Sequence, residues 1–193
     1  MSTLRTWPVL DMTEDQFFNF CQINSDWRME RSAEGKIVIL PPTGGGSGSR
    51  NLRLAAQLSE WAVRDDTGVA FDSSTGFTLP NGAIRSPDAS WALKSRLKVI
   101  APAKKEKFLP LCPDFVVEMV SPSDPLSVGR KKMEEYMANG ARLGWLIDPL
   151  RKKAHVYRPG CEVERLEAPK RLAGDPVLAG FVLKLEPVWD RGF

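Results

Sequence analysis

The spacing of apolar positions changes several times along the chain, and each change predicts a different kind of element. Residues 13–16 read Thr-Glu-Asp-Gln, which is the capping-box pattern of a helix start. Phenylalanines follow at positions 17, 18 and 20, so we predict a short amphipathic helix. Residues 27–40 hold two strand-forming runs around a turn at 33–35, which predicts a β-hairpin.

A glycine-serine stretch at residues 43–49 predicts a loop, and a helical pattern follows it up to about Arg64. The apolar residues that recur there with helical spacing are Leu52, Ala55, Ala56, Leu58, Trp61, Ala62 and Val63. The loop lacks the Gly-Lys-Ser/Thr ending of a phosphate-binding P-loop, which argues against an ATPase of that class.

From Gly68 onward the pattern favours strands, with one helix among them. Strands are predicted at residues 69–71, 76–79, 89–93, 115–120, 144–147, 155–157, 163–166 and 181–183. A helix is predicted over residues 126–139, and Gly140 is suited to end it. This order of elements predicts an α/β (α+β) fold in which a mixed sheet is flanked by helices.

Length and composition suit a globular protein. With 193 residues, 42% of them hydrophobic, we expect one domain over residues 1–193. Within it we expect an N-terminal extension at 1–12, the Gly/Ser loop at 43–49 and a basic insertion at 94–113. The cysteines fit neither a disulfide framework nor a zinc site, so we expect buried or half-buried free thiols; they are Cys21, Cys112 and Cys161.

No apolar run approaches the roughly 20 residues of a membrane span. Residues 1–11 lack the apolar core and cleavage site of a signal peptide, so we expect a cytoplasmic protein without membrane contact. The net charge of +3 permits nucleic-acid binding without indicating it. The run from Lys94 to Lys107 has six basic residues and one acid, so it either contacts phosphates or is a solvated surface excursion.

Carboxylates in apolar, strand-forming surroundings are the main chemical signal. Asp88 ends the sequence Ser-Pro-Asp, and Asp114 and Glu118 belong to the run Pro-Asp-Phe-Val-Val-Glu. A buried charge is costly unless it is paired or binds a metal. Two carboxylates that converge form an oxygen-lined site suited to Mg²⁺ or Mn²⁺. Phosphodiester hydrolysis is therefore the leading hypothesis.

Alternation along a strand places Asp114 and Glu118 on one face, but about 13 Å apart. One metal centre would not bind both directly, so we interpret Asp114 as a residue of the strand start. The position two residues after Glu118 is Val120, so a Glu-x-Lys arrangement is absent.

The predicted helix that follows offers a lysine instead. On a helical wheel Lys132 falls inside the apolar arc, whose members are Val128, Met133, Tyr136 and Met137. Such a lysine either snorkels at the rim of the helix or pairs with the Asp88/Glu118 cluster, and the wheel leaves both open.

Taken together, these stretches resemble the PD-(D/E)XK nuclease superfamily, and more closely the restriction-endonuclease family abundant in cyanobacteria that is often called Uma-two. The ordered stretches that carry the resemblance are residues 40–44, 85–89, 112–118, 121–124, 132–136 and 140–149.

The resemblance implies a restriction-endonuclease-like fold and cleavage of DNA with Mg²⁺ or Mn²⁺. It implies that Asp88 and Glu118 bind the metal and that Lys132 replaces the missing Glu-x-Lys lysine. Glu30 corresponds to an acidic residue of the hairpin that joins the site, and its other interpretation is a surface ion pair. Residues 121–124 are expected to end the strand and cap the next helix.

Alternatives remain open at this stage. A nuclease-like fold can serve as a non-catalytic module that binds nucleic acid or a partner, and the displaced lysine keeps that hypothesis alive. A weaker one is a structural homodimer in which the acids only form ion pairs. Cutting both strands of a duplex is easiest with two sites, which favours a twofold homodimer.

His155 is the only histidine and lies in a predicted strand, so we expect a structural or surface role for it.

Overall fold

The computed structural model describes residues 2–4, 11–122 and 124–190; the remainder of the expected N-terminal extension lies outside these ranges. The elements in chain order are β1 (Ser2–Leu4), α1 (Glu14–Ile23), β2 (Arg28–Arg31), β3 (Ile37–Leu40), α2 (Gly45–Asp65), β4 (Gly68–Asp72), β5 (Phe77–Thr78), β6 (Ile84–Arg85), β7 (Ala89–Leu93), α3 (Lys94–Lys98), α4 (Pro102–Lys105), β8 (Phe115–Met119), α5 (Leu126–Ala138), β9 (Leu143–Asp148), β10 (Lys153–Tyr157), β11 (Glu164–Glu167), β12 (Arg171–Ala173), β13 (Val182–Lys184) and α6 (Glu186–Trp189).

A six-stranded sheet forms the centre of the molecule, with the strand order β11-β10-β9-β8-β7-β4. Strands β8 and β9 are parallel and the other neighbours are antiparallel. Residues of α2 pack in the core cluster on one face and residues of α5 in the cluster on the other. The predicted mixed sheet flanked by helices is thus confirmed.

Strand β8 shows why this sheet needs cover on both faces. Its residues from Phe115 to Val117 are completely buried. Phe115 and Val117 pack in the cluster with α2, whereas Val116 packs in the cluster with α5. Alternation along a strand therefore directs Glu118 to the α5 side, where it is 7% exposed.

Helix α5 lies very close to this sheet. A Cβ atom added to Gly144 of β9 would lie 2.2 Å from Cε of Met133, and one added to Gly129 of α5 would lie 2.7 Å from Cδ1 of Leu146. The lack of side chains at these two glycines is what permits so short a separation between helix and sheet.

The predicted hairpin forms β2 and β3 and belongs to a second sheet, with the order β1-β3-β2-β6-β5. The predicted capping box begins α1: the Thr13 hydroxyl accepts a hydrogen bond from the Gln16 N–H, and the Thr13 N–H donates one to Gln16 Oε1. Strand β2 also pairs with β6 at Arg31 and Ile84. Because β6 leads directly into β7, this pairing brings the hairpin close to Asp88.

The prediction for α2 was partly wrong. The helix begins at Gly45, so most of the expected loop at 43–49 is helical. Its buried positions are Arg50, Leu54, Leu58, Trp61 and Ala62. Leu52 and Val63 are 71% and 77% exposed, because they lie outside the stripe set by Leu54, Leu58 and Trp61 at intervals of four and three.

The basic insertion is folded, and most of its lysines are exposed, as expected for a solvated surface segment. It contains α3 and α4, and a bridge pairs Leu109 with Phe77. Ion pairs tie it to the fold through Lys94 and Asp66, Arg96 and Asp114, and Lys107 and Asp15. The insertion begins after the last residue of β7, whereas Asp88 precedes the first residue of that strand, so the two lie at opposite ends of β7. Sequence analysis also missed the short elements β6, β12 and α6.

Other predictions are settled by burial. Cys112 is buried and Cys21 half-buried as expected, but Cys161 is exposed; all three are free thiols. His155 is a buried residue of β10. Within the described ranges, no helix is both long and apolar enough to cross a membrane.

Candidate active site

Two carboxylates meet where β7 begins and β8 ends. These strands are antiparallel, and Ala89 pairs with Val117. Asp88 and Glu118 are the next residues outward, so the register sets them side by side. The pair predicted from the sequence is therefore together in the structure.

Protein donors fix the orientation of Asp88. Its Oδ2 atom accepts a hydrogen bond of 2.7 Å from the Met119 N–H, and its Oδ1 atom accepts one of 3.1 Å from Nδ2 of Asn51 on α2. A carboxylate has about four lone-pair sites, so both oxygens keep capacity for a further ligand.

Helix α5 supplies two donors to Glu118. Nζ of Lys132 lies 3.1 Å and Oη of Tyr136 lies 2.9 Å from the same atom, Glu118 Oε1. Residues four apart share a helix face, which explains how both reach one oxygen. The second interpretation of Lys132, pairing with the acidic cluster, thus fits the structure, and its side chain is only 12% exposed.

Glu30 is a buried anchor for Lys132, and the surface interpretation does not hold. Its Oε1 atom accepts hydrogen bonds from Nζ of Lys132 at 2.9 Å and from the Ser86 N–H at 3.1 Å. Arg85 pairs with Oε2 of Glu30 at 3.3 Å and, through Nε, with Glu135 at 2.6 Å. Glu30 therefore joins the site through Lys132.

The pKa values in this network follow from burial and neighbouring charge. Burial raises the pKa of Glu118 to about 7, against the attraction of Lys132 and with added repulsion from Asp88 and Glu30. Burial also opposes ionisation of Glu30, but Lys132 and Arg85 hold its pKa below the usual value. For Lys132, attraction to Glu118 and Glu30 outweighs burial and raises the pKa, so it stays protonated at neutral pH.

The donor set fits a hard divalent cation. Three carboxylates share two cations in the ion-paired network, and the carboxylate of Asp88 lies next to it; the members are Glu30, Glu118, Glu135, Arg85 and Lys132. Asp88, Glu118 and Lys132 line one recess of about 340 Å³. Among the described residues there is no group of three or more His, Cys, Asp or Glu arranged to hold a metal. Two carboxylates suffice for Mg²⁺, which usually keeps several of its waters.

Asp114 is remote from this site. It is buried at the start of β8, where its Oδ2 accepts a hydrogen bond of 3.0 Å from the Leu93 N–H and its Oδ1 lies 3.0 Å from Arg96. This agrees with a strand-start role. Strand β8 ends at Met119, before residues 121–124, as expected; the N-cap of α5 is Pro125, which makes no side-chain cap hydrogen bond, and residue 123 lies outside the described residues.

Sequence reasoning missed three contributors. Tyr136 was placed in the apolar arc, although its spacing of four from Lys132 was a signal for a shared partner. Arg85 and Asn51 had no comparable signal, because their contacts depend on how β6 and α2 pack against β7.

Comparison with known proteins was made on sequence and on structure. A crystal structure of a putative nuclease belonging to DUF820 from Anabaena variabilis ATCC 29413 has a similar fold, with a TM-score of 0.74 and 23% identity, covering 93% of this chain and 98% of that one. A weaker likeness, with a TM-score of 0.37 and 14% identity, is to the cryoEM structure of the DrdV-DNA complex, covering 64% of this chain and 12% of that one.

A search of curated proteins finds no match. The family model described as "Uma2: Putative restriction endonuclease" matches residues 14–186. That range includes every residue of the acidic network and every strand except β1. The chain therefore belongs to the Uma2 family.

Proposed function

We propose that this protein is a metal-dependent DNA endonuclease that hydrolyses phosphodiester bonds. The observation that carries the proposal is the convergence of Asp88 and Glu118 at one recess, with Lys132 bonded to Glu118 at 3.1 Å. Membership of a family described as restriction endonucleases supports the choice of reaction.

In this proposal Asp88 and Glu118 hold Mg²⁺ or Mn²⁺. Their side chains are already oriented by Met119, Asn51 and Tyr136, so little rearrangement is needed on binding. Burial, with repulsion from Asp88 and Glu30, raises the pKa of Glu118, and a bound cation would stabilise the ionised form of this carboxylate. A bound Mg²⁺ would polarise the scissile phosphate and acidify a water molecule.

The protein groups contribute charge and position. Lys132 is protonated and clamped between Glu30 and Glu118, so it serves as a fixed positive charge for the transition state and does not act as a base. Glu30 holds Lys132 in place, and Arg85 in turn holds Glu30. We assign Lys132 a catalytic role and Glu30 a positioning role.

Plasmid cleavage tests the proposal. Supercoiled DNA is incubated with Mg²⁺ or Mn²⁺ and with wild type, Glu118→Ala, Lys132→Met or the matched control Lys131→Met, which changes an exposed lysine on the same helix. We expect metal-dependent nicking by wild type and Lys131→Met, and its loss in the other two variants and in EDTA. A folded wild type that binds DNA in EDTA but never cleaves it would instead indicate a non-catalytic binding module.

A twofold homodimer also remains a prediction. Cutting both strands of a duplex is easiest with two active sites, which favours a twofold pair of copies. Sedimentation in the presence of DNA and metal measures the number of copies directly.

A further inference from the structure

A second recess opens beside the acidic one. It has a volume of about 480 Å³, within the usual range for sites that hold a single small group, and Asp88, Arg28 and Met119 line both recesses. A substrate held at the acids would therefore extend directly into it.

One part of the lining of this groove is an apolar wall that begins at the acidic recess, which Leu40 and Pro41 also line. It is formed by Leu40, Pro41, Leu52, Ala55, Pro149 and Leu150. Leu52 projects from α2 with 71% of its surface exposed, although the stripe that packs against the sheet lies on another side of the helix. Exposed apolar surface at the edge of a cleft is typical of a binding site.

Arg28 stands where the two recesses join. Its Nη2 atom donates hydrogen bonds to the carbonyl oxygens of Ser73 and, at 3.3 Å, of Ser86. These contacts fix the guanidinium beside Asp88. A guanidinium in that place can bind the phosphate next to the scissile one.

The charges in the groove argue against a continuous phosphate backbone along it. The carboxylates of Asp26, Asp72 and Asp88 line it against the guanidinium groups of Arg28 and Arg50, which leaves a formal excess of one negative charge, and carboxylates repel phosphates. The basic run of residues 94–107 begins at the end of β7 opposite to Asp88, so it does not supply cations here. An uncharged base meets no such repulsion, and carboxylates can accept hydrogen bonds from its amino groups.

We infer that this groove binds an unpaired nucleobase, and that single-stranded DNA or a DNA end with unpaired nucleotides is cleaved in preference to duplex DNA. In a duplex the faces of the bases are stacked and only their polar edges are accessible, so an apolar wall is complementary to an unstacked base. The inference rests on the proposed function, since it concerns the nucleotide beside the scissile phosphate.

Cleavage of matched oligonucleotides tests it. A 5′-fluorescein-labelled strand is offered alone and annealed to its full complement, with Mn²⁺. We expect wild type to cleave the single strand at least about tenfold faster, since unpairing a duplex base costs a few kcal/mol. Equal rates, or faster cleavage of the duplex, would overturn the inference and leave the endonuclease proposal intact.

Leu52→Ala probes the wall, with Val63→Ala as the control because it shortens another exposed apolar residue of α2 that does not line the groove. We expect Leu52→Ala to slow cleavage of the single strand about tenfold, the order for loss of the apolar contact of one leucine side chain. Val63→Ala should retain the wild-type rate of cleavage. Both variants should have the melting temperature of the wild type. Equal rates for the two variants would contradict the role of the wall.

A binding measurement separates the two proposals. If wild type cleaves neither substrate, the endonuclease proposal fails. Fluorescence anisotropy of the labelled single strand, with Ca²⁺ in place of Mn²⁺, then measures binding to the groove independently of cleavage. Binding about tenfold weaker in Leu52→Ala than in Val63→Ala supports the groove, whereas equal affinities overturn it.

Discussion

Replacing Glu118 by glutamine should stabilise the metal-free protein at neutral and alkaline pH while removing its function. The fold raises the pKa of Glu118 from its ordinary 4.5 to about 7, chiefly by burial. The folded state therefore holds this proton more tightly than the unfolded chain does, and the wild type loses stability as pH rises from about 4.5 to about 7. Glutamine is neutral throughout and lacks this cost.

The size of the effect follows from the shift. A difference of about 2.5 between pKa values of 4.5 and about 7 corresponds to roughly 3 kcal/mol. Oε1 of the glutamine can still accept the hydrogen bonds of Lys132 and Tyr136, so little other stability is lost. We expect Glu118→Gln to be more stable than wild type by roughly 3 kcal/mol at pH 8 and equal to it near pH 4.

Urea unfolding in EDTA at pH 4, 6, 7 and 8 measures this difference. Glu167→Gln serves as the control, because Glu167 is an exposed carboxylate of β11. Adding Mg²⁺ at pH 8 should stabilise wild type and leave Glu118→Gln unchanged, since a ligand stabilises only the state that binds it. A stability difference that is independent of pH, or a Glu118→Gln variant less stable than wild type at pH 8, would refute the reasoning.

Three further predictions follow from other parts of the site and core. Asp88→Asn should keep the fold but weaken Mn²⁺ binding at least about tenfold, because the neutral amide is a poor ligand for a hard cation. Calorimetry measures this affinity, and an unchanged value would exclude Asp88 as a ligand. Burial lowers the pKa of His155, so wild type should lose stability relative to His155→Leu as pH falls below about 6.5, measured by thermal melting; a constant difference would contradict this. A Cβ on Gly68 would lie 2.2 Å from the Trp91 ring, so Gly68→Ala should cost about 1–3 kcal/mol in urea unfolding, and a neutral result would show that the ring can move.

The acidic pair was predictable because its signal is local. Asp88 and Glu118 stand out as charges beside apolar strand residues, and the wheel assigned Lys132 to the inner face of α5. Each inference needed only the geometry of a single element. What could not be predicted is the partner of each group, which depends on packing between distant parts of the chain.

Glu30 and Asn51 show where local reasoning fails. Glu30 reaches Lys132 because β2 pairs with β6, a contact between residues more than 50 positions apart. Asn51 reaches Asp88 because α2 packs against the sheet, a contact between residues 37 positions apart. Periodicity identified the helix, but the phase of its buried stripe depended on Leu54, which the pattern had omitted.

The close approach of α5 to the sheet at Gly129 and Gly144 has a consequence for how such a site can be changed. Lys132 belongs to a different element from the acids it serves, so its distance from Glu118 is set by the thickness of the packed layer between helix and sheet. A methyl group added at Gly144 would push α5 away from the sheet, and Lys132 would move away from Glu118 with the helix. The unit that can be transplanted into another protein is therefore the helix together with the strands beneath it, including both glycines. The acidic strands alone would lack the positive charge of Lys132.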